Sequence, residues 1–156
     1  MTEDKVHRES PVRHSRFFAV HGIVCPMLKQ FLLTSSHARL RYWTAIVLYL
    51  LILVIGSIPG ARQDIGELAT GLVLHSIAYA GLAFLIFTGS RGGLKQRAAK
   101  AVLTIALMGA LDEVVQSCFP YRHGAVSDWL VDCNAALLAT AFMWALWSRY
   151  RILPAD

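Results

Sequence analysis

Four apolar segments joined by short polar connections constrain this chain more than any other feature. They are "YWTAIVLYLLILVIGSI" at 42–58, "LATGLVLHSIAYAGLAFLIFT" at 68–88, "AAKAVLTIALMGALDEVVQSCF" at 98–119 and "VSDWLVDCNAALLATAFMWALWS" at 126–148. Each is close to the roughly 20 residues a helix needs to cross about 30 Å of hydrocarbon. Only helices and closed barrels satisfy their backbone groups in lipid, and these runs lack the alternation of barrel strands. The spacing therefore predicts an all-α fold, an integral membrane four-helix bundle. Carboxylates intrude at one end of the third and fourth segments. "PGARQDIGE" (59–67), "GSRGGLKQR" (89–97) and "PYRHGA" (120–125) form the connections, with Pro and Gly as helix breakers.

Composition agrees with the segments. The chain is 56% hydrophobic and 16% charged, where a soluble domain carries about a quarter charged residues. Its net charge of +5 is not clustered among aromatics, so no nucleic-acid partner is expected. Lys and Arg instead set the orientation. Seven lie in residues 1–41, four between Arg91 and Lys100, and two in the tail, against Arg62 and Arg122 in the first and third connections. Thirteen against two predicts cytoplasmic termini and a cytoplasmic middle connection. Cys25, Cys118 and Cys133 have no CxxC spacing and read as small packing residues, with a Cys118–Cys133 bridge as the less favoured alternative.

Three parts follow: a basic N-terminal segment at 1–41, the four-span domain at 42–148 and a short cytoplasmic tail at 149–156. Residues 17–33 contain His21, Pro26 and Lys29 and lack a clean apolar core. They read as an amphipathic surface segment, and fit a signal peptide poorly because no small-residue cleavage site follows. In the preferred alternative the chain starts at Met27, and residues 1–26 are then not part of the natural protein. Tyr121, Trp129, Trp144, Trp147 and Tyr150 read as interfacial anchors.

On this topology the polar residues of the spans converge toward the outer side. His75 and Tyr79 lie in the second span, Asp112, Glu113 and Gln116 end the third, Arg122 follows in the loop, and Asp128 and Asp132 begin the fourth. At about 100° per residue, Gly109, Asp112, Glu113 and Gln116 share an arc. Asp128 and Asp132 share a face that Ala135, Ala136 and Ala139 continue as a small-residue stripe suited to helix contact. A carboxylate on lipid at the bilayer centre costs at least about 2.5 kcal/mol. The acids are therefore expected to face inward, around a polar cleft open to the outer side, with Arg122 paired to Glu113 or Asp128. Each residue also has a plainer role, such as Asp128 or Ser127 capping the fourth helix.

"SIPG", "LHSIAYAGLAFLIF", "DEVVQSCFPYR" and "SDWLVD", in this order on four spans, resemble the VanZ-like membrane protein family over residues 42 to about 145. Two departures are visible. "CNAA" follows Asp132 where a glycine is usual, and "PYR" stands where "PGR" is common. The resemblance implies a four-helix protein of the bacterial plasma (inner) membrane, with recurrent polar positions at His75, Tyr79, Glu113, Gln116, Arg122, Asp128 and Asp132. The family is named for a protein associated with low-level resistance to the glycopeptide teicoplanin. The leading expectation is a non-enzymatic envelope factor that binds a membrane lipid, a lipid-linked envelope molecule or a partner membrane protein in the cleft, as a monomer or a homo-oligomer. Two alternatives stay open. One is an enzyme acting on a lipid-linked substrate, with Glu113 or Asp132 as base and Arg122 binding an anion. The other is a small proton-coupled carrier. No cofactor and no metal are expected: under the enzyme alternative a metal could join His75 and the carboxylates, but no tight ligand motif such as HExxH is present.

Overall fold

The computed structural model describes residues 37–59, 71–122 and 124–150, with backbone only at 149 and 150. The readings of the N-terminal leader, of most of the first connection, of His123 and of the tail beyond residue 150 lie outside the described residues. Four helices are described, with no strand among these residues: α1 (Ala38–Gly56), α2 (Gly71–Gly89), α3 (Leu94–Ser117) and α4 (Val126–Tyr150). α1 starts four residues before the expected boundary, so Arg41 belongs to the helix rather than to the basic segment. Pro59 follows its end, where Ser57 Oγ donates to Leu53 O at 2.7 Å and satisfies a carbonyl of the last turn.

Three of the four helices are long and apolar enough to cross a membrane: Ala38–Gly56, Gly71–Gly89 and Val126–Ser148. α3 has the length, 24 residues, or about 36 Å at 1.5 Å per residue. It lacks the apolar content, because Lys95, Arg97 and Lys100 occupy its first turns and Asp112 and Glu113 its last.

Around an apolar core, the outer surface is unlike that of a soluble bundle. Large apolar side chains such as Val47, Leu72, Ile77, Leu107 and Leu138 are exposed, while Arg41, Asp112, Glu113, Gln116 and Asp132 are buried. The buried faces follow helical spacing. On α1 they are Ala38, Arg41, Ala45 and Tyr49; on α3, Ala101, Ile105, Met108, Gly109, Asp112, Glu113 and Gln116. α4 contributes Asp132, Ala135 and Ala136, with Ala139 half-buried, as the small-residue stripe predicts.

Close approach is built into two glycines. A Cβ on Gly89 would lie 2.6 Å from Tyr42 N and 2.9 Å from Ala38 O, so α1 and α2 meet there backbone to backbone. A Cβ on Gly109 would lie 3.0 Å from Asp132 Oδ2, which brings α3 against α4 beside the acids. α4 packs along α2 and α3, and α1 packs on α2 but touches α3 only lightly. That thin α1–α3 contact leaves room between the helices.

The aromatic residues need correction. Trp147 is 4% exposed and meets Phe87 edge to face at a centroid distance of 5.8 Å, so it is core rather than an anchor. Trp129 donates Nε1–H to Ala106 O at 2.9 Å and joins α4 to α3. Tyr121 is exposed, and its hydroxyl donates to Ser57 O at 2.6 Å, tying the α3–α4 connection to the end of α1. Cys118 and Cys133 are free thiols, so the bridge alternative is not formed.

Candidate functional site

Seven of the eight polar residues singled out in the sequence meet at one end of the bundle, where α1 and α3 end and α2 and α4 begin. His75 Nδ1 and Asp132 Oδ1 are 2.9 Å apart. The Tyr79 ring stacks on His75 at 5.8 Å, and its hydroxyl donates to Asp112 Oδ2 at 3.0 Å. The geometry follows from spacing. His75 and Tyr79 are one turn apart on α2, so one face offers both an imidazole and a phenol. Asp112 and Asp132, from α3 and α4, meet them in turn.

Glu113 accepts a hydrogen bond from Ala125 N at 2.6 Å, immediately before α4 begins. The carboxylate thus occupies the positive end of the α4 dipole, a favourable place for negative charge. Asp128 is half-buried in the first turn of the same helix, with Ser127 Oγ 3.4 Å from its Oδ1. It stays at the rim, outside the cavity wall.

Arg122 departs from expectation. Its terminal nitrogens go to uncharged oxygens: Nη1 donates to Gly56 O at 2.9 Å and Nη2 to Gln116 Oε1 at 2.6 Å. The expected pairing with Glu113 or Asp128 is therefore replaced by a strap from the α3–α4 connection across to α1. The physical reason is competition. The end of α1 presents carbonyls without intrahelical partners, and Glu113 is already engaged by the α4 terminus. Arg122 Nε is left buried without a partner.

A cavity of about 270 Å³ opens beside the cluster. Ile52, Ile55, Leu74 and Ala78 make apolar wall, and His75, Tyr79, Asp112, Gln116 and Arg122 make its polar end. It occupies the room left by the thin α1–α3 contact.

Several buried polar residues were not singled out in the sequence, among them Tyr49 and Arg41. Tyr49 on α1 donates its hydroxyl to Met108 O at 2.9 Å, bracing α1 on α3 just below the cluster. Arg41 is buried and donates to Thr88 O at 2.8 Å at the opposite end. The signal for both was present: Ala38, Arg41, Ala45 and Tyr49 repeat at three to four residues and mark the inner face of α1.

No family model, curated protein or solved structure matches the chain.

Proposed function

We propose that the protein spans a bacterial plasma membrane four times and that its cavity receives the polar head of an amphiphilic envelope molecule. The cavity carries this reading. Its wall is aliphatic on one side, and its far end gathers an imidazole, a phenol, a carboxylate, an amide and a guanidinium. Apolar pockets with a few convergent polar groups are the usual form of a ligand site. At about 270 Å³ it suits a headgroup or a short length of chain rather than a whole lipid. Arg122, held by uncharged partners, keeps its positive charge for a ligand.

Membrane insertion of all four helices draws on the exposed apolar surface and on α3. The α3 basic residues cluster at its start, where Lys and Arg side chains reach the interface, and its acids point into the bundle. The Lys and Arg bias supports cytoplasmic termini and an outward polar end. The resemblance to VanZ-like proteins supports an envelope role linked to glycopeptide sensitivity.

The test is to purify the protein in native lipid discs and identify retained lipid by mass spectrometry, beside Ala78→Phe, which fills the cavity, and Arg122→Gln. Wild type should retain a defined amphiphile that both variants lose, and expression of wild type alone should shift teicoplanin sensitivity. The same lipid profile in all three proteins overturns the reading.

A second reading, hydrolysis of a lipid-linked substrate, draws on the His75–Asp132 contact. A carboxylate that orients an imidazole is the arrangement of a general base, and His75 lines the cavity.

A further inference from the structure

We infer that His75, Glu113 and Asp132 form a binding site for a divalent first-row transition-metal ion. The inference stands apart from the amphiphile reading, because it concerns three side chains and not the cavity contents.

Each residue comes from a different helix, and one donor atom from each lies within 4.8 Å of the other two. Metal–nitrogen and metal–oxygen bonds of about 2.0–2.2 Å place tetrahedral ligand atoms roughly 3.4 Å apart. Side-chain torsions therefore need to close at most about 1.4 Å. The His75–Asp132 contact, at 2.9 Å, is already that short. No local ligand motif was visible in the sequence because the ligands lie on α2, α3 and α4, a placement common in metal sites at bundle cores.

Two further observations point to a cation. Glu113 Oε1 and Asp132 Oδ2 are buried without a hydrogen-bond partner, on residues 9% and 0% exposed. Buried carboxylate oxygens are normally satisfied, so each needs an account. The local charge is also uneven. Asp112, Glu113 and Asp132 are all buried. Their described partners are the Tyr79 hydroxyl, the Ala125 amide and His75, and Arg122 is engaged elsewhere. A divalent ion would offset the negative charge that these carboxylates gather in the interior.

The donor set selects the class of ion. One imidazole with two carboxylates suits Zn²⁺, Mn²⁺ or Fe²⁺, whereas Mg²⁺ and Ca²⁺ favour oxygen alone. Three protein ligands leave a position open, and His75 is shared with the cavity wall. An exchangeable water or a ligand atom could complete the shell there.

The experiment uses the full chain in detergent, stripped with a chelator and dialysed. Zn²⁺ is titrated against a chromophoric competitor, with Co²⁺ absorption and thermal unfolding as parallel readouts. Cys118→Ser and Cys133→Ser form the background, since both thiols are free. Wild type should bind one tight equivalent, show a Co²⁺ spectrum of nitrogen and oxygen ligands, and unfold at higher temperature when loaded. Glu113→Gln, which keeps an oxygen for the Ala125 amide, and Asp132→Asn should each weaken binding at least tenfold while eluting as folded protein. Asp112→Asn, which removes a neighbouring charge and no ligand atom, should weaken binding less than either. Absence of tight binding in wild type overturns the site. Equal affinity in the Glu113 and Asp132 variants, equal loss in Asp112→Asn, or Mg²⁺ competing as well as Zn²⁺ overturns the ligand set.

Discussion

The two ends of this bundle solve opposite problems. At one end α1 begins, α2 ends, α3 begins and α4 ends. Gly89 lets α1 and α2 touch backbone to backbone, Arg41 donates to Thr88 O, and Phe87 and Trp147 interlock. At the other end, three buried carboxylates, an imidazole and a cavity occupy the same cross-section. The first end gains stability by dispersion and close approach at short range, and seats the buried Arg41 guanidinium on a backbone carbonyl. The second gives up packing to a cavity and gathers carboxylates in its interior, as functional sites commonly do. A protein that sacrifices packing at one end needs the other to hold the helices together.

The largest expected effect lies at the polar end. His75→Ala leaves Asp132 buried without its partner, and breaking a buried pair from one side costs about 3–5 kcal/mol. Replacing both, as His75→Leu with Asp132→Leu, should restore most of that loss, because apolar substitutes for a buried pair are often neutral or better. Thermal unfolding in detergent measures both. A double variant as unstable as the single one would mean that the contact is not an isolated pair. Next comes the packed end. Gly89→Ala should cost roughly 1–3 kcal/mol, the usual range for overpacking, because the new methyl meets backbone that cannot swing aside. An unchanged melting temperature would erase the contrast between the ends.

The smallest effect is the most diagnostic. Arg122→Ala and Glu113→Gln should be additive within about 0.5 kcal/mol, as for sites with no shared partner. Arg122→Ala with Gln116→Ala should couple by about 1.5–3 kcal/mol, the scale of a hydrogen bond to a charged group. A double-mutant cycle on unfolding reads both. Strong Arg122–Glu113 coupling would restore the salt bridge that the sequence suggests.

Much of this was legible before the fold. The four helices fall within a few residues of the apolar segments, because hydrophobic runs and Pro or Gly breaks are local signals. The inner arc of α3 and the small-residue stripe of α4 were readable from period alone. Interfacial aromatics were a poorer guide. Trp147 has the composition of an anchor, and only its neighbour Phe87 makes it core. The inner face of α1 went unread because Arg41 counts in sequence with the basic segment, although it belongs to a helical repeat.

The one-dimensional pattern was sufficient for the helical class, for the helix boundaries to within a few residues, and for the inward arc of α3 and the small-residue stripe of α4. Periodicity and hydropathy are properties of neighbours in the chain, so they need no fold to express them. Partner choice was a different matter. Whether Arg122 reaches Glu113, or Gly56 O and Gln116 instead, depends on which groups other helices bring within about 3 Å. The gathering of His75, Glu113 and Asp132 likewise depends on three helices crossing at one depth. Hydrogen bonds and metal coordination act over a few ångströms between residues far apart in sequence, so only the tertiary structure could decide them.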